Sequence, residues 1–319
     1  MNRWIKLLDY FFISRPILFL PGWATLIAGY LSVTNDTDLI LSIFNGNNKL
    51  QYWNSNLFLS MILFSMVMGS SFILNQLKDV YTDRRNKKLF LFGDGHIPDF
   101  HGYIVSILLI IASLLLAFFI SKNLFLVFLV FTIVTGYFYN FFPFEFKNKP
   151  ILGLLANIIM GWLAFAAGWV LVDGFNTNLI ISALPYVFFN TSLYFLTTLP
   201  DMDGDRSSKK ITFPVRFGFK FTIWCSFLFY FLALFLSYLL NDQFCLTILF
   251  LLIPAMFRLI IKKNIPSAVL TVKLGIFFFC LIICLKIPVF FILMFSLFFF
   301  TRIYYKKRFN FDYPNFKSI

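Results

Sequence analysis

Asn75, Asp79 and Asp83 recur at intervals of four in FILNQLKDVYTDRRNKK, and Asp201 and Asp205 repeat that interval in LPDMDGD, with Asp203 between them. Residues four apart stack on one face of a helix. Two stacked carboxylates with an amide one turn earlier make a set of hard oxygen donors. That set suits Mg²⁺, which keeps phosphate oxygens and water among its ligands. Two carboxylate pairs brought together repel unless cations lie between them. Two Mg²⁺ ions bridged by a diphosphate would remove that repulsion and draw charge off a leaving group. Read singly, each cluster is equally a solvated helix end. Asp83 would then pair with Arg84, Lys87 or Lys88, and Arg206, Lys209, Lys210 and Arg216 would either serve membrane topology or, some of them, touch a polyanion. The DxDGD string is not an EF-hand loop. Counted from Asp201, Arg206 and Thr212 stand where that loop needs Gly and Glu.

The elements that carry these acids are apolar. Of 319 residues, 60% are hydrophobic, 21% aromatic and 13% charged, and only 14 are Asp or Glu. A chain this short of polar residues cannot cover itself with a water-compatible surface, so it is expected to be a polytopic membrane protein. Runs long enough for a bilayer core fall near 12–33, 57–76, 102–121, 124–142, 151–172, 179–199, 220–240, 244–261, 267–285 and 287–303. Lys273 interrupts the ninth run and only Lys286 separates it from the tenth, so 267–303 either crosses twice or forms one broken, re-entrant unit. One membrane domain over 1–319 is expected, with 286–319 as its C-terminal span and basic tail. The opening MNRWIKLLDYFFISRP lacks a small-residue cleavage site, so the first helix is expected to be retained.

Most of the 27 basic residues lie in alternate connections, whereas the others hold Lys49, Lys122 and Lys286. The positive-inside rule therefore puts both termini and both acidic clusters on the cytoplasmic side, with an even number of spans. The net charge of +13 is thus a topology signal, not a sign of nucleic-acid binding. Cys225, Cys245, Cys280 and Cys284 lie inside apolar runs and are expected to pack or face lipid rather than bind zinc or form disulfides.

A polar cap over an apolar, Phe- and Tyr-rich bundle suits a diphosphate head with a long hydrocarbon tail, and aromatic faces can stabilise a passing carbocation. Here the sequence resembles the UbiA superfamily of intramembrane prenyltransferases. Asn75-x3-Asp79-x3-Asp83 resembles that family's first Asp-rich motif, and Asp201-x3-Asp205 its second, followed as in the family by Thr212-Phe213-Pro214-Val215. Tyr137-Phe138-Tyr139-Asn140 and Pro143-Phe144-Glu145-Phe146-Lys147 are similar to its middle loop, and Ser14-Arg15-Pro16 to the Arg-Pro of its first helix. Two departures stand out. Gln76 replaces the Asp that often follows the first Asn, and the loop Asn86–His96 lacks two family arginines. Arg84, Arg85, Lys87 or Lys88 would then meet phosphate, and His96 offers a substitute cation or a solvated loop side chain.

The resemblance implies an all-α bundle of nine spans, against ten from the charge count, around a central cavity capped on the cytoplasmic side. It implies Mg²⁺-dependent transfer of a prenyl group from a polyprenyl diphosphate, with release of diphosphate. Asn75, Asp79 and Asp83 would hold one Mg²⁺, and Asp201 and Asp205 the other. Lys147, Arg206 and Lys87 would hold phosphate oxygens, and Tyr139 would sit by the allyl cation. Arg15 would meet an acceptor carboxylate. Asn157 is a substrate-binding candidate because an amide within a span is costly to bury. The acceptor is left open among an aromatic acid, a quinone or porphyrin precursor, and a polyprenol glycerol phosphate. Three other readings compete. An ion-coupled transporter would want carboxylates at mid-span. A CDP-alcohol-type phosphotransferase would want its acids in one compact motif, whereas these lie far apart in the chain. A non-catalytic scaffold would have no need of intact aspartates.

Overall fold

The computed structural model describes residues 3–34, 54–85 and 91–314. Within them the regular structure is helical, without strands. Helix α1 (Arg3–Phe12) meets α2 (Phe19–Val33) through a tight turn over Pro16–Leu18. Then come α3 (Ser55–Arg85), α4 (Asp99–Ile120) and α5 (Lys122–Phe131), which continues as a π-helical stretch over Thr132–Phe138. Next are α6 (Pro150–Trp169) and α7 (Thr177–Thr197). Two short helices follow, α8 (Met202–Ser207) and α9 (Phe213–Phe217). Four long ones close the chain: α10 (Phe219–Leu239), α11 (Gln243–Lys262), α12 (Ile265–Lys286) and α13 (Pro288–Phe309).

Among the described residues nine stretches are long and apolar enough to cross a membrane, and Lys122–Phe138 is a shorter apolar helix. This short helix takes the place of the run expected over 124–142. The two ends of the chain meet: Arg308, at the end of α13, bonds Asp9 of α1 at 3.1 Å. Among the described residues the nine long stretches match the count that the resemblance implies, and the extra run of the charge count, 124–142, falls partly on the short helix. Residues 267–303 form two separate helices with Pro288 at the start of the second, so the re-entrant alternative is set aside. Pro at the first helical position costs no hydrogen bond and marks the break. Polar caps start other helices: Ser121 accepts from Asn123 N–H, Asn176 from Leu179 N–H, Asp242 from Cys245 N–H and Asn264 from Ser267 N–H. Each satisfies a backbone donor that would otherwise be left open at a helix start.

Small residues set the closest crossing. In membranes, helices associate through close backbone packing because burial of apolar surface drives little. α2 and α6 cross at Gly29 and Gly168, where a Cβ on Gly168 would strike the Leu26 carbonyl and one on Gly29 the Phe165 carbonyl. These are backbone atoms and cannot rotate away. We expect Gly168→Ala to lower stability by at least about 2 kcal/mol, the scale of overpacking. Thermal unfolding in detergent would read this, and an unchanged midpoint would refute it. Elsewhere large apolar residues such as Leu108, Ile111, Leu115 and Phe119 of α4 are exposed, as a lipid-facing surface requires. Cys245, Cys280 and Cys284 are buried free thiols, and Cys225 is half-buried.

Candidate active site

The second expected span is longer than its apolar run. Helix α3 continues to Arg85, so Asn75, Asp79 and Asp83 project from one uninterrupted helix. Asp79 is its junction. Its Oδ1 lies 2.8 Å from Lys147 Nζ. Its Oδ2 accepts from Asn75 Nδ2 at 2.9 Å and lies 3.5 Å from Lys210 Nζ. Asp83, one turn on, pairs with Arg15 at 3.2 Å. Arg15 is placed by its neighbour: Pro16 bars the right-handed helical region to the residue before it, and Arg15 takes the left-handed one at φ 52°. Gln76 is buried and donates to Ile13 O at 2.6 Å. Gln76 thereby ties α3 to the α1–α2 junction.

The middle loop reaches the same place through the π-helical stretch. A wider turn leaves carbonyls short of their usual partners, and such turns concentrate at functional sites. Tyr139 N–H reaches back to Val134 O at 2.9 Å. Asn140 Nδ2 donates to the Thr135 and Gly136 carbonyls at 2.8 and 3.2 Å. This fixes Asn140 so that its Oδ1 accepts from Asn75 at 3.0 Å and faces Lys147 Nζ at 3.4 Å. Burial lowers the Lys147 pKa, and the adjacent Asp79 opposes that shift. Burial pushes the Tyr139 hydroxyl well above its ordinary value, helped by the charges of Asp79, Asp205 and Asp201. It therefore stays protonated and cannot serve as a base near neutral pH. That one hydroxyl feels acids from both motifs shows that they converge on it.

The second motif is held by the segment that follows it. Asp201 precedes α8, and Asp205 N–H donates to Asp201 O at 2.8 Å. Asp205 is only 4% exposed, and its Oδ2 accepts from Thr212 Oγ1 at 3.1 Å. This gives the Thr-Phe-Pro-Val segment a physical role: Thr212 orients Asp205, and Pro214 opens α9. Lys209 turns the chain at φ 60°. It stays exposed itself, whereas Lys210 points inward to Asp79.

Of the residues expected from sequence, Asn75, Asp79, Asp83, Lys147, Arg15, Tyr139, Asp201 and Asp205 gather at this end of the bundle. Arg206 is exposed on α8, and Lys210 rather than Arg206 reaches the acids. Asn157 lies deeper, on α6, with its Oδ1 buried and without a hydrogen-bond partner among the described residues. Lys87 lies outside the described residues. His96 contacts Arg308 at 3.2 Å. Asn140 and Lys210 escaped sequence reasoning. Asn140 stood in the stretch similar to the family's middle loop without a role of its own, and Lys210 was one of four basic residues read as topology charges or polyanion contacts.

The donors are carboxylate and amide oxygens, and ammonium groups already sit against Asp79. Among the described residues no three His, Cys, Asp or Glu side chains are grouped to hold one metal ion. The oxygen donors themselves suit Mg²⁺, which uses one or two carboxylates and completes its shell with phosphate and water.

Fold and site together define a multi-pass membrane protein, all-helical, with an acid- and lysine-lined site at one end of its bundle. The chain belongs to the UbiA prenyltransferase family, whose model matches residues 23–267, and it is a prenyltransferase. That assignment decides against the transporter and phosphotransferase readings. Digeranylgeranylglyceryl phosphate synthase of Sulfurisphaera tokodaii is 25% identical over 247 residues, 72% of this chain and 84% of that protein. A UbiA homologue from Archaeoglobus fulgidus bound to DMAPP and Mg²⁺ shares the fold with TM-score 0.65 at 19% identity, covering 86% of this chain and 99% of that one. The same homologue bound to GPP and Mg²⁺ matches with TM-score 0.65 at 18% identity over the same shares.

Proposed function

We propose that the chain catalyses Mg²⁺-dependent prenyl transfer from a polyprenyl diphosphate to a hydroxyl-bearing, lipid-like acceptor within the membrane. The observation that carries the reading is the Lys210–Asp79 contact. It joins the segment after the second motif to the first motif, so that both acid clusters and two ammonium groups share one site. Asn75, Asp79 and Asp83 would hold one Mg²⁺, and Asp201 and Asp205 a second. When bound, Mg²⁺ supplies Lewis-acid stabilisation of the departing diphosphate. Lys147 and Lys210 meet the negative oxygens as the allylic C–O bond breaks. Tyr139 offers a neutral ring to the allyl cation, and Thr212 keeps Asp205 aimed. The hydrocarbon tail occupies a central cavity of the bundle below the acids. The site faces the cytoplasm, with the N-terminus on the same side, as the basic connections favour. The alcohol acceptor is preferred over an aromatic acid on two grounds. The Sulfurisphaera tokodaii relative is a digeranylgeranylglyceryl phosphate synthase, and Arg15 is already paired with Asp83, which leaves it poorly placed to meet an acceptor carboxylate.

The test is transfer from radiolabelled geranylgeranyl diphosphate by purified protein in lipid nanodiscs. Geranylgeranylglyceryl phosphate and 4-hydroxybenzoate serve as competing acceptors. Label should enter the glyceryl lipid with Mg²⁺ present and fall to background with excess EDTA. Label in the benzoate would overturn the acceptor class, and turnover that survives EDTA would overturn the metal requirement.

A further inference from the structure

The strongest polar cluster outside the site lies where the first and last helices meet. Asp9 of α1 is 1% exposed. Its Oδ1 accepts from Tyr304 Oη at 2.6 Å and from Arg308 Nε at 3.1 Å. Its Oδ2 accepts from Arg308 Nη2 at 3.1 Å. The Arg308 side chain is itself nearly covered, so this is a two-pronged, buried ion pair of the geometrically specific kind. Phe12 of α1 stacks on Tyr304 with ring centroids 3.7 Å apart. Neither α1 nor α13 lies within the residues that match the family.

One connection runs from this pair to the first acidic motif, and further contacts hold the segment around it. Along α1, the chain passes to Ile13, whose carbonyl takes Gln76 of α3, and to Arg15, which holds Asp83. Across the loop after the motif, Arg308 Nη2 meets His96 Nδ1 at 3.2 Å. At the start of α4, Tyr10 of α1 bonds His101 at 2.6 Å. Tyr313, in the tail beyond α13, is close enough to Arg15 to feel its charge. The α1–α2 junction, His96 ahead of α4 and the start of α4 are thus tied to one point on α1 and α13.

We propose that Asp9, Arg308 and Tyr304 are positioning residues: the C-terminal helix braces α1, and through Ile13 and Arg15 the brace sets the register of Asp83 and the first acidic motif for binding Mg²⁺-diphosphate. Coupling of this kind is carried by contiguous packed side chains and hydrogen-bond and salt-bridge networks. The proposal rests on the functional reading above.

The test uses full-length protein in nanodiscs. Initial rates are measured against Mg²⁺ and prenyl diphosphate for Arg308→Gln, Asp9→Asn and their double variant. Thermal midpoints are recorded with and without Mg²⁺ plus inorganic diphosphate. Each single variant should raise the half-saturating Mg²⁺ and the KM for prenyl diphosphate by about tenfold. Its kcat should stay within about threefold of wild type. The double variant should be no worse than the poorer single, because the three groups act as one unit. The thermal shift from Mg²⁺ and diphosphate should shrink in parallel. A lowered midpoint with wild-type KM, Mg²⁺ response and thermal shift would make the pair a fold-stabilising contact only and overturn the proposal.

If Arg308→Gln does not fold, two milder variants carry the test. Arg308→Lys keeps the charge but not the fork, and Tyr304→Phe removes only the hydroxyl. Each should raise KM about threefold, the scale of one hydrogen bond, and wild-type values for both would refute the brace. A wild-type protein with neither Mg²⁺-dependent turnover nor a thermal shift refutes the functional reading, and the brace with it. Loss of response in the variants alone supports the brace.

Discussion

Asp79→Ala is expected to reduce prenyl transfer by about a thousandfold or more, and Asp79→Asn by nearly as much. Asp79 joins several polar groups, with Lys147 on one oxygen and Asn75 and Lys210 on the other. Losing a carboxylate that holds a Lewis acid forfeits several kcal/mol of transition-state stabilisation, and each 1.36 kcal/mol is tenfold in rate. The asparagine variant keeps the shape and the hydrogen bond, so its failure would isolate the charge. Asp201→Ala should behave alike from the other side of the site. Asp203 is exposed on α8, and Asp203→Ala should stay within about twofold of wild type, as surface substitutions usually do. Single-turnover assays in membranes read all four. Wild-type Mg²⁺-dependent turnover in both Asp79→Ala and Asp201→Ala would end the two-motif mechanism.

The second large effect concerns Lys147, whose side chain is 4% exposed beside Asp79. Removing one partner from a buried pair is costly because it leaves an uncompensated charge. Lys210 and Asn75 remain near the orphaned oxygens, so Lys147→Met should cost about 3 kcal/mol, the lower end of that range. The variant should also respond more strongly to Mg²⁺ than wild type does, because the ammonium no longer competes for Asp79. Its KM for prenyl diphosphate should nonetheless rise at least about tenfold, since a charge-assisted contact to phosphate is lost. Thermal unfolding with and without Mg²⁺, set beside steady-state kinetics, separates these effects. A variant that is destabilised, indifferent to Mg²⁺ and normal in KM would show Lys147 to be structural only.

Some of the geometry fell outside what a linear reading can reach. The second apolar run stops near residue 76, yet its helix continues to Arg85. The last turns are polar, and Lys147, Lys210 and Arg15, all distant in sequence, pair with their acids. Arg206 and Lys210 are equally plausible on paper, and the choice between them turned on the backbone at Lys209. Asn140 depended on a π-helical stretch whose carbonyls it caps, and no residue pattern announces such a turn. The short apolar helix ends at Phe138 because the chain widens there to present Tyr139 and Asn140.

The sequence by itself determined the membrane setting, the helical class and the two acid motifs. These depend on local composition and on intervals of four, which act over one or two helical turns. Tertiary structure alone decided which cations meet which acids, and that the first and last helices close on each other through Asp9 and Arg308. Those pairings join residues 131 and 299 positions apart. At such separations the outcome is set by how the bundle packs, through contacts like the Gly29–Gly168 crossing, and not by any property of the chain near either residue.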